Sequence, residues 1–137
     1  MTILMSLAVV AIPASAAGET ATFKKVTSAP SDWSGTYLIV YESGKVAFNS
    51  SLSTLDAVGN KSAVTISNSE ITADLSLAFT IEKNGNSYTI KSSSGYYVGQ
   101  SSNANGLKSN KTTKYNNTIT LNSDGTVNIV SGGAYLR

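Results

Sequence analysis

One phrase is written three times in this chain, and it limits the folds open to it more than any other feature. The copies are Gly35-Thr36-Tyr37-Leu38-Ile39-Val40 running to Gly44, Asn86-Ser87-Tyr88-Thr89-Ile90-Lys91 running to Gly95, and Gly125-Thr126-Val127-Asn128-Ile129-Val130 running to Gly133. Each reads as a turn, a strand alternating with period two, a small polar turn ending in Gly, and a second strand. A repeated unit fixes architecture before any single element does. A second phrase feeds the later copies: Phe79-Thr80-Ile81 stands before Gly85, and Ile119-Thr120-Leu121 stands before Gly125. The unit is therefore four strands long. Ile39, Ile90 and Ile129 mark its spacing, and the wider first interval predicts an insertion in residues 50–60.

Four-strand units repeated in this way predict an all-β fold, a β-trefoil-like barrel in which three units close around one core beneath a hairpin cap. Closure would remove the exposed strand edges that invite association. A β-sandwich is the alternative, because strand alternation is the same in both. Predicted strands are 22–27, 36–41, 45–49, 63–67, 77–82, 87–92, 96–100, 106–109, 117–122, 126–131 and 134–137, with at most one helical turn at 53–56. Alternation places Tyr37, Ile39, Tyr41, Phe79, Ile81, Tyr88, Ile90, Ile119, Leu121, Val127 and Ile129 inward. Asn84-Gly85 and Asp124-Gly125 are the strongest hairpin signals, since they supply positive φ cheaply. The third unit holds only its opening strand and residues 134–137. The expectation is thus a third repeat left incomplete, a chain that is a fragment at its C-terminus, and an open side to the barrel.

The length of 137 residues accommodates one domain. Residues 3–12 are almost wholly apolar and too short to span a bilayer. Pro13 and Ala14-Ser15-Ala16-Ala17 follow, small residues at alternate positions after an apolar stretch, which is the pattern of a cleaved export leader. Residues 1–16 are read as that signal peptide, cleaved after Ala16 (Ala17 is the alternative). Its basic n-region is missing, which places the true start upstream. Residues 17–34 are read as an N-terminal strand and turn, and 35–137 as the β-domain. Export without cysteine suits a bacterial extracellular protein.

Cysteine and histidine are both absent. That removes thiolate nucleophiles and metal sites, disulfides, and the commonest general base. The net charge of +2, with 13% charged residues, provides no overall field for nucleic acid or an anionic bilayer. Lys24-Lys25 and Lys108, Lys111 and Lys114 are the densest basic groups and read as solvated. The carboxylates Glu19, Asp32, Glu42, Asp56, Glu70, Asp74, Glu82 and Asp124 fall mostly at turns or strand ends, and none is marked as one of a glycosidase pair. No cofactor, metal or catalytic residue is assigned, and the chain is read as a non-enzyme.

Aromatic rings remain. Sugar faces stack on flat rings while amides bond hydroxyls, so a lectin site combines the two. On that chemistry the candidate ligand residues are Trp33, Tyr96, Gln100, Asn103, Asn105 and Tyr115. Trp33 has the competing role of a barrel plug. Of Tyr96 and Tyr97, alternation puts one ring in and one out, with Tyr97 the more natural core position.

Gly35–Tyr41, Gly95-Tyr96-Tyr97-Val98-Gly99-Gln100, Asn105-Gly106-Leu107 and Gly133-Ala134-Tyr135-Leu136-Arg137 resemble an accessory module recurrent in secreted proteins of gut bacteria. Such modules often adjoin extracellular hydrolase domains, and in that family the chain continues through an Arg/Phe/Tyr-rich strand. The resemblance covers about residue 23 to the end and brings no ligand or binding residues with it. The threefold layout is also similar to ricin-type lectins, but their Gln-x-Trp motif and cysteines are missing here. The expected function is a secreted, non-catalytic binding module for carbohydrate or another extracellular polymer. The alternatives are a structural or protein-interaction module beside a neighbouring hydrolase, and a weak carboxylate-based hydrolase. Nucleic acid and a membrane span in the mature chain are not expected.

Overall fold

The computed structural model describes residues 3–7, 18–102, 106–132 and 134–136. They form short strands joined by turns: β1 (Ile3–Leu7), β2 (Thr20–Lys25), β3 (Gly35–Tyr41), β4 (Val46–Phe48), β5 (Lys61–Ala63), β6 (Glu70–Asp74) and β7 (Phe79–Asn84). There follow β8 (Ser87–Ser92), β9 (Tyr97–Gly99), β10 (Lys108–Asn110), β11 (Thr118–Leu121), β12 (Val127–Ser131) and β13 (Ala134–Leu136). Helical structure among the described residues is confined to single 3-10 turns at Val58–Asn60 and Leu75–Leu77. No helix among them is long and apolar enough to cross a membrane.

The chain is all-β and antiparallel. One sheet runs β10-β9-β8-β7-β3-β1-β2-β6, with β4 and β5 branching from β3, and a second runs β11-β12-β13. Neither sheet closes on itself among the described residues, so the β-trefoil-like barrel, expected with an incomplete third repeat and an open side, is not shown there, and the open sheets fit the sandwich alternative. The two sheets touch through a bridge in which Tyr88 and Asn117 exchange main-chain bonds of 2.9 and 2.8 Å. Residues 3–7 of the apolar segment read as the core of a leader lie in the first sheet as β1, antiparallel to β3 (Ile3↔Tyr41, Leu7↔Tyr37) and to β2 (Ser6↔Lys25).

The repeated phrases occupy related places. Tyr37, Ile39, Phe79, Ile81, Ile90, Ile119, Val127 and Ile129 are buried in one cluster with Val26, Trp33 and Val98. Tyr88 and Leu121 pack on it half-buried, and Phe48 stacks on Phe79 at 5.3 Å. Tyr41, expected inward, is half-buried at the end of β3. The strands also share a pairing habit. On one edge of β3, residues 35–37 pair with β7 and 39–41 with β4. On one edge of β8, Tyr88 bridges to Asn117 and Lys91 pairs with Tyr97. These two opening strands, β3 and β8, therefore each split an edge between two partners in the same order.

A second cluster, absent from the sequence reading, packs Phe23, Leu38, Val40, Ala47, Ile71, Ala73, Leu75 and Ala78. It exists because β2 and β6 pair with Phe23 opposite Ile71, and both rings of contacts fall on the outward residues of β3. The strand expected at 63–67 is instead Lys61–Ala63, and β6 was not expected at all. The intervening turn carries Asn68 and Ser69 at φ 51° and 61°, a primed hairpin turn made without glycine. The one helical turn expected at 53–56 is found at Val58–Asn60. Buried Asn60 shapes the whole 50–60 insertion: its Oδ1 accepts from Leu52 N–H (2.8 Å), and its Nδ2 donates to the carbonyls of Thr54 and Leu55.

Candidate functional site

The outer face of β8, β9 and β10 brings lysine and tyrosine side chains together. The β8–β9 turn brings Gly95 to φ 91°, and Ser92 N–H donates to the Tyr96 carbonyl at 2.8 Å. The turn sets the register Lys91↔Tyr97↔Asn110. Directly paired residues share a face, so these three side chains stand together. Val98 and Ser109, one residue along, are paired and buried on the opposite face. Val98, not Tyr97, is thus the core residue of this strand. Tyr97 is half-buried on the outer face, and Tyr96 is half-buried just before the strand begins.

Lysines lie over both rings. Lys91 Nζ is 5.2 Å and Lys114 Nζ 5.8 Å from the Tyr97 centroid, while Lys111 Nζ is 5.0 Å from that of Tyr96. An ammonium over a ring face is drawn to the negative quadrupole of the π-system. Thr80 pairs with Lys91 and with Thr36, which extends the polar row across the sheet.

The other expected ligand residues lie elsewhere. Trp33 is 5% exposed and packs against Tyr37 with ring centroids 6.1 Å apart, so it fills the core. Tyr115 is 5% exposed, and a side chain on Gly99 would collide with it. Gln100 is 4% exposed and structural. Its Nε2 donates to the Gly106 carbonyl at 2.9 Å, its Oε1 accepts from Ser101 N–H at 3.0 Å, and its own N–H donates to Ser131 Oγ at 2.8 Å. Burial removes Trp33, Gln100 and Tyr115 from contact with a ligand. Asn103 and Asn105 lie outside the described residues. Of the four described, Tyr96 alone is not buried; it precedes β9, and its carbonyl accepts from Ser92 N–H, one residue beyond the Lys91 that pairs with Tyr97.

Polar side chains that the sequence did not single out hold the site's frame. Asn117 is fully buried, and its Nδ2 donates to the carbonyls of Tyr88, Val98 and Tyr115 at 3.1–3.2 Å. Ser50 and Ser109 share a 2.6 Å hydroxyl bond, and the Ser50 carbonyl accepts from the hydroxyls of Ser92 and Ser94. These serines clamp the 50–60 insertion to the back of β8–β10. An isolated Asn or Ser in a chain this rich in both gives no signal of burial.

Five of the eight carboxylates are engaged locally. Asp32 Oδ1 accepts from Ser34 N–H (2.7 Å), and that bond holds its carboxyl below the usual range. The Ser76 N–H does the same for Asp74, and for Asp124 the Thr126 hydroxyl contributes most. Glu70 pairs with Lys24 at 3.5 Å and Glu42 with Lys25 at 3.3 Å. Among the described residues no three acidic side chains group closely enough to hold a metal ion. No protein-family model, curated protein or solved structure matches this chain.

Proposed function

We propose that this chain is a secreted, non-catalytic binding module on the β-trefoil plan, and that it holds an extracellular carbohydrate polymer on the outer face of β8–β10. The observation that carries the binding reading is the pairing of Tyr97 with Lys91 and Asn110 on one exposed face. Rings, an amide and hydroxyls in one row are the groups a sugar needs, one for stacking and the others for its hydroxyls. The trefoil plan draws support from Ile39, Ile90 and Ile129 in a single cluster and from the shared edge-splitting of β3 and β8. The non-catalytic reading draws support from carboxylates engaged in turns and lysine pairs.

The test is a glycan array and a pull-down on insoluble cell-wall and mucin polysaccharides. Retention by at least one polysaccharide, reduced at least tenfold by Tyr97→Ala, is the expected result. Uniform non-binding by a folded chain overturns the reading. Export is checked by N-terminal sequencing of chain recovered from culture medium, with Ala17 expected as the first residue. Cleavage there takes β1 out of the sheet and leaves facing edges of β2 and β3 unpaired.

A further inference from the structure

Charge is divided along this chain in a way that its total conceals. Residues 83–123 contain Lys83, Lys91, Lys108, Lys111 and Lys114 and no carboxylate, while all seven of Glu19, Asp32, Glu42, Asp56, Glu70, Asp74 and Glu82 precede them. The ion pairs among the described residues belong to Lys24 and Lys25, outside that stretch. Lys91, Lys108, Lys111 and Lys114 are all exposed. The fold gathers them. Lys91 and Lys114 meet at the Tyr97 ring, Lys111 covers the adjacent Tyr96, and Lys108 stands on β10 two residues from Asn110, which pairs with Tyr97.

We infer that this face selects an acidic polysaccharide, one bearing sulfate or carboxylate groups on its sugar rings; the inference rests on the polymer-binding reading above and names its ligand class. A neutral sugar stacking on Tyr96 or Tyr97 has to displace the ammonium already over the ring and gains nothing from it. An oxyanion on the sugar gives that ammonium a stronger partner. Lysine then swings from ring to anion, making a charge-assisted hydrogen bond and freeing the aromatic face for the sugar. Lys91 and Lys114 share the Tyr97 ring and Lys111 lies over the ring of its sequence neighbour, so these lysines can act on successive charges of one polymer. A net charge of +2 gives no field for such charges over the whole molecule; the lysines gathered at Tyr96 and Tyr97 create it locally, and Glu82, diagonal to Lys91 on the outer face of β7, is a carboxylate beside them.

Affinity electrophoresis of the full chain through gels holding dextran sulfate, polygalacturonate or neutral dextran tests this, with double-stranded DNA titrated separately. Retardation by dextran sulfate or polygalacturonate and none by dextran is expected, and the gel that retards shows whether sulfate or carboxylate is recognised. The triple variant Lys91→Gln/Lys111→Gln/Lys114→Gln should weaken it at least tenfold. The control Lys45→Gln/Lys61→Gln, which removes two exposed lysines from the acid-bearing half, should change it less than twofold. Binding of wild-type chain should fall steeply as salt rises from 50 to 300 mM. Equal losses in the two variants overturn the inference, as does tighter binding to DNA than to either acidic polysaccharide. Retention on neutral glycans alone overturns it while leaving the polymer-binding reading intact. Failure on every glycan removes both. Each variant's urea midpoint, expected unchanged because these lysines are exposed, separates lost binding from lost folding.

Discussion

The strands β3 and β8 are copies of one phrase and do different work. Tyr37 and Ile39 in β3 match Tyr88 and Ile90 in β8, and all four contribute to the same cluster. The alternate positions diverge: β3 has Leu38 and Val40, both fully buried in the second cluster, whereas β8 has buried Thr89 and exposed Lys91. One copy is therefore a strand buried on both faces, and the other opens its outer face to water at Lys91. The inward positions are constrained by a shared core. The outward ones are free to build a second core in one copy and a charged aromatic surface in the other. Function, on this view, sits in the residues where the repeat does not repeat.

A reciprocal exchange tests that comparison most severely. Val40→Lys inserts the residue of β8 into β3, where a charge would be buried without a partner. The expected loss is roughly 4 kcal/mol or more in urea unfolding, enough to unfold a marginal domain. Lys91→Val makes the opposite change on an exposed face and should alter stability by about 0.5 kcal/mol or less. Similar effects from the two substitutions would mean that the strands are not differently buried, and the comparison would fail.

The next largest effect lies at the junction behind the open face. Gly99 has no room for a side chain, since a Cβ would run into Tyr115 and Ser131 Oγ. Gly99→Ala is expected to cost about 1–3 kcal/mol, the usual range for overpacking. The double variant Gly99→Ala/Tyr115→Gly, which also removes the Tyr115 Cβ that stands closest, should recover part of that loss, because residues in contact are not additive. Full additivity would show that Tyr115 is not the obstruction.

What the sequence revealed, and what it hid, follows the same division. The inward residues of β3, β7, β8, β11 and β12 were legible because alternation and the repeat both point to them. Strand 87–92 was read to the residue, flanked as it is by a glycine turn on each side. β6 escaped because its hairpin turn, Asn68-Ser69, has no glycine to announce it and its inward residues include small Ala73. Missing β6 also hid the second cluster, and with it the reason for Leu38 and Val40. Among the site residues, Trp33 and Tyr115 looked like ligand platforms because a ring's chemistry is visible in sequence and its burial is not. Tyr97 was assigned to the core because its burial depends on which of two adjacent residues the Gly95 turn aims inward. The lysines over it come from strand and loop positions that only the fold brings together.

The primed turn itself provides a smaller test on the acid-bearing side. Ser69 holds φ 61°, a left-handed conformation costing an L-residue roughly 1–2 kcal/mol. Glycine relieves that strain and adds back some freedom to the unfolded chain. Ser69→Gly should therefore stabilise the chain by about 0.5–1 kcal/mol, read as a higher urea midpoint. A loss in place of a gain would mean that the β2–β6 side of the sheet does not depend on this turn geometry.

The smallest expected effect separates how acids and lysines act. Asp32 and Asp124 are exposed and Asp74 is half-buried, and each carboxyl is held below its ordinary range mainly by hydrogen bonds from the residue two positions on. A carboxyl whose pKa is lower in the folded chain contributes stability that is complete above its unfolded value, near 3.9, and disappears as pH falls through the folded value. The urea midpoint should thus be flat from about pH 8 to pH 5 and decline below about pH 4. The triple variant Asp32→Asn/Asp74→Asn/Asp124→Asn keeps an acceptor at each turn and should show a shallower decline. Because these bonds are short-range, the decline should change little between 50 and 300 mM salt, whereas polymer binding by the lysine face should collapse over that interval. An acid-limb stability that tracks salt as strongly as the binding does would mean the carboxylates act through a long-range field, and the division between locally engaged acids and collectively acting lysines would not hold.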